Sequence, residues 1–106
     1  MNISIITFTE NGTKLAEKIR QAFVGTKTEE AKNLGLSLSD WTRQQFAEKN
    51  AIVVIGACGI AVRMIAPFVS DKLSDSPVVV ADEAGTFVIP LLSGHMGGAN
   101  ELAEQI

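Results

Sequence analysis

Five consecutive apolar residues, Ala51-Ile-Val-Val-Ile55, set between Asn50 and Gly56, constrain this chain more than any other segment. The run has the length of a strand and lacks the polar alternation of a half-buried one, so it reads as a central strand covered on both faces. Such a strand needs helices above and below the sheet, and the flanking sequence supplies them. Before it, Ser39-Asp40 can cap a helix carrying Trp41, Phe46 and Ala47. After it, Ile60, Ala61, Met64, Ile65 and Phe68 recur at helical spacing, and Pro67 should end or kink the helix they define.

The remaining elements extend this pattern. Residues 2–9 are rich in β-branched side chains and predict a buried strand, which reaches a turn over residues 10–13. Leu15, Ala16, Ile19 and Phe23 then mark the inner face of a helix that Gly25 ends, with Lys14, Glu17, Lys18 and Arg20 on its outer face. Residues 26–36 are polar and without a clear period, and leave room for a short second strand. Residues 77–81 and 86–92 read as strands joined by Asp82-Glu83-Ala84-Gly85. Four residues cannot make a parallel crossover, so these two strands should form an antiparallel hairpin. Residues 100–106 begin another helix, whose apolar positions Ala99, Leu102, Ala103 and Ile106 want a partner. The expectation is an α/β fold: a three-layer α/β/α sandwich whose mostly parallel, mixed sheet ends in a hairpin. Residues 1–106 form a single domain in this reading, cut from a longer multidomain protein.

Composition narrows the functions such a fold can serve. The 106 residues are 46% apolar, enough for one core and too few for two domains. A net charge of −3 with no Lys/Arg cluster argues against a nucleic-acid backbone or an anionic membrane as partner. No apolar stretch is long enough to cross a bilayer, and residues 1–9 lack the features of a signal peptide. A single Cys58 rules out an intrachain disulfide and a multi-cysteine zinc site. Cytoplasmic location is the expectation, with Cys58 a small buried residue rather than a nucleophile.

Three segments hold residues that can do chemistry. In Gly56-Ala-Cys-Gly59 free backbone N–H groups at a helix start can hold an anion and Arg63 can close over it, or the segment is only a tight turn beside a solvated arginine. In Leu91-Leu-Ser-Gly-His-Met-Gly-Gly-Ala-Asn100 three glycines surround His95 at the exit of an apolar strand, and the histidine can act as acid or base or can merely cap a helix. Asp82-Glu83 can supply a base or be an ordinary hairpin turn. The loop over residues 7–11 should lie beside Gly56, because parallel neighbouring strands bring it there, and ligands of open α/β sheets prefer such strand ends.

Taken in order, Gly56-Ala-Cys-Gly-Ile-Ala-Val-Arg-Met-Ile-Ala-Pro67, Asp71-Lys72, Pro77-Val-Val-Val-Ala-Asp-Glu-Ala-Gly-Thr-Phe-Val-Ile89 and Leu92-Ser-Gly-His-Met-Gly-Gly-Ala-Asn-Glu-Leu-Ala103 resemble the N-terminal domain of the cobalamin-biosynthesis protein CbiG. The likeness is specific over the second half of the chain and general over the first. It implies a cobalt-precorrin-5A hydrolase, which opens the δ-lactone of a cobalt-bearing tetrapyrrole and releases acetaldehyde. It also implies further C-terminal domains of the same protein, and no cofactor of the chain's own, since the cobalt comes with the substrate. On this resemblance His95 is a general acid or base and Glu83 a second proton-transfer group. Gly56, Gly59 and Arg63 hold substrate carboxylates, Ser93, Gly94, Gly97 and Gly98 donate hydrogen bonds to developing oxyanions, and Asn100 orients the ring. The alternative is a non-catalytic corrinoid- or anion-binding module. Association of the chain into a homo-oligomer stays open.

Overall fold

The computed structural model describes residues 2–70, 75–92 and 104. Strand β1 (Ile3–Thr7) leads into helix α1 (Glu10–Ala22), followed by strand β2 (Thr26–Glu30), helix α2 (Leu38–Glu48) and strand β3 (Ala51–Ile55). Helix α3 (Cys58–Ile65) passes into a 3-10 turn at Pro67, and strands β4 (Val78–Ala81) and β5 (Val88–Leu92) complete the set. The sheet order is β2-β1-β3-β4-β5, with β1 to β4 mutually parallel and β5 antiparallel to β4.

Two cores follow from the period of two along each strand. Ile3, Ile5, Ala51, Val53, Ile55, Val79 and Ala81 point to one face and pack with Ala16 and Ile19 of α1. Ile6, Ile52, Val54, Val78 and Val80 point to the other and pack with Trp41 of α2 and with Ala61, Met64 and Ile65 of α3. All five residues of β3 are buried, as a strand with helices on both sides requires. Each fully buried Val or Ile contributes about 1.5–3 kcal/mol. The three-layer arrangement and the terminal hairpin are therefore both present, and β2 occupies the edge where the sequence only left room for it.

Both long helices begin earlier than the sequence suggests. Helix α1 starts at Glu10 because Thr9 caps it, its Oγ1 accepting from the Gly12 N–H at 3.0 Å. Gly12 belongs to the first helical turn rather than to a β-turn. A Cβ there would lie 3.1 Å from Thr9 Oγ1 and 3.2 Å from Ile55 Cγ2, so its absence lets the helix start press against the end of β3. Helix α2 is capped by Ser37, whose Oγ accepts from Asp40 N at 3.0 Å, two residues before the cap the sequence favoured. Of the apolar residues the sequence assigned to this helix, Trp41 is buried, Phe46 half-buried and Ala47 exposed.

Strand β5 is an edge strand that contains a proline. Pro90 sits opposite Val79, where an edge position spares the sheet a missing donor. The register slips between Val78 and Val79, leaving Leu91 as the extra residue of a bulge. Leu91 and Leu92 consequently both pack against the α2/α3 core.

Candidate functional site

Pairing aligns the ends of three strands: Thr7 opposite Ile55, and Ile55 opposite Ala81. The segments leaving them, Phe8-Thr9, Gly56-Ala57 and Asp82-Glu83, share one sheet edge, so the loop after β1 does lie beside Gly56. A Cβ on Gly56 would meet the Phe8 ring at 3.1 Å. The Gly56 N–H is not free for an anion, because it donates to the Ala81 carbonyl at 2.9 Å. Its contribution is to let Phe8 close over the β1/β3 junction. The open donors of this loop come after it: Ala61 N is the first in α3 to reach back, to Ala57 O, and no side chain caps the helix.

Gly59 lies in that uncapped first turn. Among the described residues nothing stands within 4 Å of where its Cβ would be. Cys58 is exposed, correcting the expectation of a buried thiol: it is the first residue of α3, beyond the strand ends where the sheet gives no cover. Ile60 is likewise 39% exposed rather than part of the core face. It overhangs the N-terminal turn of α2, and with Leu38, Ser39, Arg63, Met64 and Pro67 it lines a groove of about 300 Å³. Arg63 is exposed and has no hydrogen-bond or ion-pair partner among the described residues.

Asp82 and Glu83 do different things. Asp82 Oδ1 accepts from Phe87 N at 2.8 Å and its carbonyl accepts from Gly85 N at 3.0 Å, so Asp82 braces the hairpin. Gly85 turns that corner at φ 75°, a conformation that favours glycine. Glu83 reaches away from the turn and accepts from Thr9 Oγ1 at 2.5 Å, tying the hairpin to the start of α1. Beside it a second hollow, of about 240 Å³, is lined by Asn11, Lys14, Leu15, Lys18, Glu83 and Ala84. The sequence placed Lys14 and Lys18 on the solvent face of α1 and attached no role to them. Their i, i+4 spacing was visible, but only the hairpin folding back over Leu15 converts that face into the wall of a cleft.

Ser93, Gly94, His95, Gly97, Gly98 and Asn100 lie outside the described residues, as do Asp71, Lys72 and the apolar positions Ala99, Leu102, Ala103 and Ile106. The approach to the glycine-rich segment is described as far as Leu92, which pairs with Val78. Leu92 is therefore at the opposite end of the sheet from Gly56 and Glu83. Among the described residues no three His, Cys, Asp or Glu side chains converge as metal ligands, and no helix is long and apolar enough to cross a membrane.

Comparison with known proteins matches residues 40–106 to the family described as cobalamin synthesis G N-terminal. A protein of Salmonella typhimurium named cobalt-precorrin-5A hydrolase is 40% identical over 99% of this chain and 32% of its own length. One of the same name from Priestia megaterium is 48% identical over 58% of this chain and 16% of its own. A crystal structure described as a cobalamin biosynthesis protein G homolog from Sulfolobus solfataricus superposes with a TM-score of 0.73 at 26% identity, covering 98% of this chain and 32% of that one. The chain thus spans about a third of the Salmonella relative.

Proposed function

Because the chain belongs to the cobalamin synthesis G N-terminal family, we propose that it is the N-terminal domain of a cobalt-precorrin-5A hydrolase, acting in anaerobic cobalamin biosynthesis in the cytoplasm. The observation that carries this reading is the 40% identity to the Salmonella hydrolase along nearly the whole chain. The substrate is a tetrapyrrole ringed by carboxylates, and the cobalt enters with it, so the chain has no resident cofactor. Water opens the δ-lactone, and proton transfer accompanies the carbon–carbon cleavage that releases acetaldehyde.

The proposed roles divide along the sheet. At the strand ends, Arg63 and the N–H groups of the turn containing Gly59 receive carboxylates, with Gly56 shaping the junction beneath them. Glu83 exchanges protons at the same edge, its hydrogen bond to Thr9 setting its position. His95 acts as acid or base, Ser93, Gly94, Gly97 and Gly98 donate to developing oxyanions, and Asn100 orients the ring. A broad macrocycle held between this domain and the C-terminal domains of the same protein can meet groups from both ends of the sheet.

The second reading is a corrinoid-binding module whose partner domains do the chemistry. It is favoured by the fact that this chain is 32% of its Salmonella relative. The test is acetaldehyde release from cobalt-precorrin-5A by this chain, alone and mixed with the remaining part of that relative. The hydrolase reading expects release in the mixture that His95→Ala abolishes. Release that survives both His95→Ala and Glu83→Gln supports the module instead, and no release at all rejects the hydrolase.

A further inference from the structure

The groove between α2 and α3 and the first turn of α3 beside it bring three properties together. Its walls are apolar: Leu38, Ile60, Met64 and Pro67. Its rim holds one guanidinium without a partner among the described residues, on a chain whose net charge is −3. Gly59, one residue before Ile60, leaves open space where any other side chain would stand. An unpaired cation beside an apolar wall suits a ligand with a flat apolar body and a carboxylate at its edge, because one contact desolvates the body and the other holds the charge. The other two arginines, and one lysine, lack this setting. Arg20 and Arg43 are paired with Glu17 and Asp40, and Lys32 lies 3.9 Å from Glu30.

We infer that this groove seats one edge of the macrocycle, with a ring and its alkyl substituents against Ile60, Leu38 and Pro67, the face of the ring over Gly59, and a peripheral carboxylate on Arg63. The inference rests on the proposed tetrapyrrole substrate and adds where on the chain it lands. A volume of about 300 Å³ fits one pyrrole-sized unit with its side chain, not a whole corrin, so the rest of the ring projects beyond the strand ends. Arg63 and the bare turn at Gly59 then belong to one contact surface, one helical turn apart on the same side of α3.

The experiment titrates this chain with dicyanocobyrinic acid, a cobalt corrinoid with free carboxylates, and with its fully methyl-esterified form. Carbon-labelled Ile and Met methyl groups report the location, and circular dichroism checks each variant for folding. Arg63→Ala is expected to weaken binding of the acid about tenfold and to leave binding of the ester unchanged. Gly59→Ala should weaken both, because it fills the space without touching the charge, and Arg20→Ala should change neither. The methyl signals of Ile60 and Met64 should move while that of Ile5, on the other face of the sheet, stays still. Acid bound equally by the unaltered chain and Arg63→Ala overturns the inference, as does binding that leaves the Ile60 methyl unmoved, or no binding of either probe. The two readings fail separately. Binding at another place on this chain rejects the groove and spares the hydrolase, whereas groove binding without acetaldehyde release in the mixture rejects the hydrolase and spares the groove.

Discussion

Gly59→Ala is expected to stabilise the folded chain while impairing its ligand contact. The residue is helical, has open space around it and has no positive φ to preserve, so replacement by alanine gains about 0.5–1 kcal/mol of helix propensity, read as a higher midpoint in thermal unfolding. Three residues earlier the sign reverses. A side chain on Gly56 collides with Phe8, so Gly56→Val should destabilise by about 1–3 kcal/mol in urea titration, and the additional loss should shrink in a chain already carrying Phe8→Ala. From the sequence these two glycines look alike, two ends of one small-residue loop. What separates them is the position of Phe8, which is set by β1 pairing with β3 across 48 residues of chain. The same applies to Glu83: its adjacency to Asp82 is in the sequence, but its hydrogen bond to Thr9 joins residues 74 apart. Cys58 illustrates the reverse error, since a small apolar residue near a strand suggests burial until the strand is seen to have ended three residues before it.

At the scale of elements, helix starts depended on which of several plausible caps is used. Ser37 and Ser39 are both serines near the start of α2, and the sequence favours the one followed by Asp40. The structure uses Ser37, because Leu38 then falls inside the helix and joins the α2/α3 core. Ser37→Ala should therefore lower stability by about 1 kcal/mol, a fall of roughly 4–8 °C in thermal midpoint, whereas Ser39→Ala should leave it nearly unchanged. Central elements were legible because their composition admits one environment: Ala51–Ile55 can only be buried on both faces. The hairpin was legible from the length of its connector. Strand β2 was not, because an edge strand alternates half-buried and exposed residues and its Thr, Lys and Glu side chains carry no hydrophobic period.

For the molecule as a whole, sheet order ranks local stability. The amides of β3, enclosed by β1, β4 and helices on both faces, should be the slowest to exchange hydrogen, and those of β2 and β5 the fastest among the strands. Equal protection in β2 and β3, measured residue by residue by NMR, would contradict this order. One buried side chain offers a view of the same process by light. Trp41 is the only tryptophan, and it is sealed at 4% exposure between α2 and the sheet, among Ile6, Ile52 and Met64. The colour of the protein's ultraviolet emission is thus set by whether one helix is seated. A variant whose circular dichroism looks normal while its emission has moved to the red has let go of α2 ahead of everything else, and with it the wall that Leu38 provides.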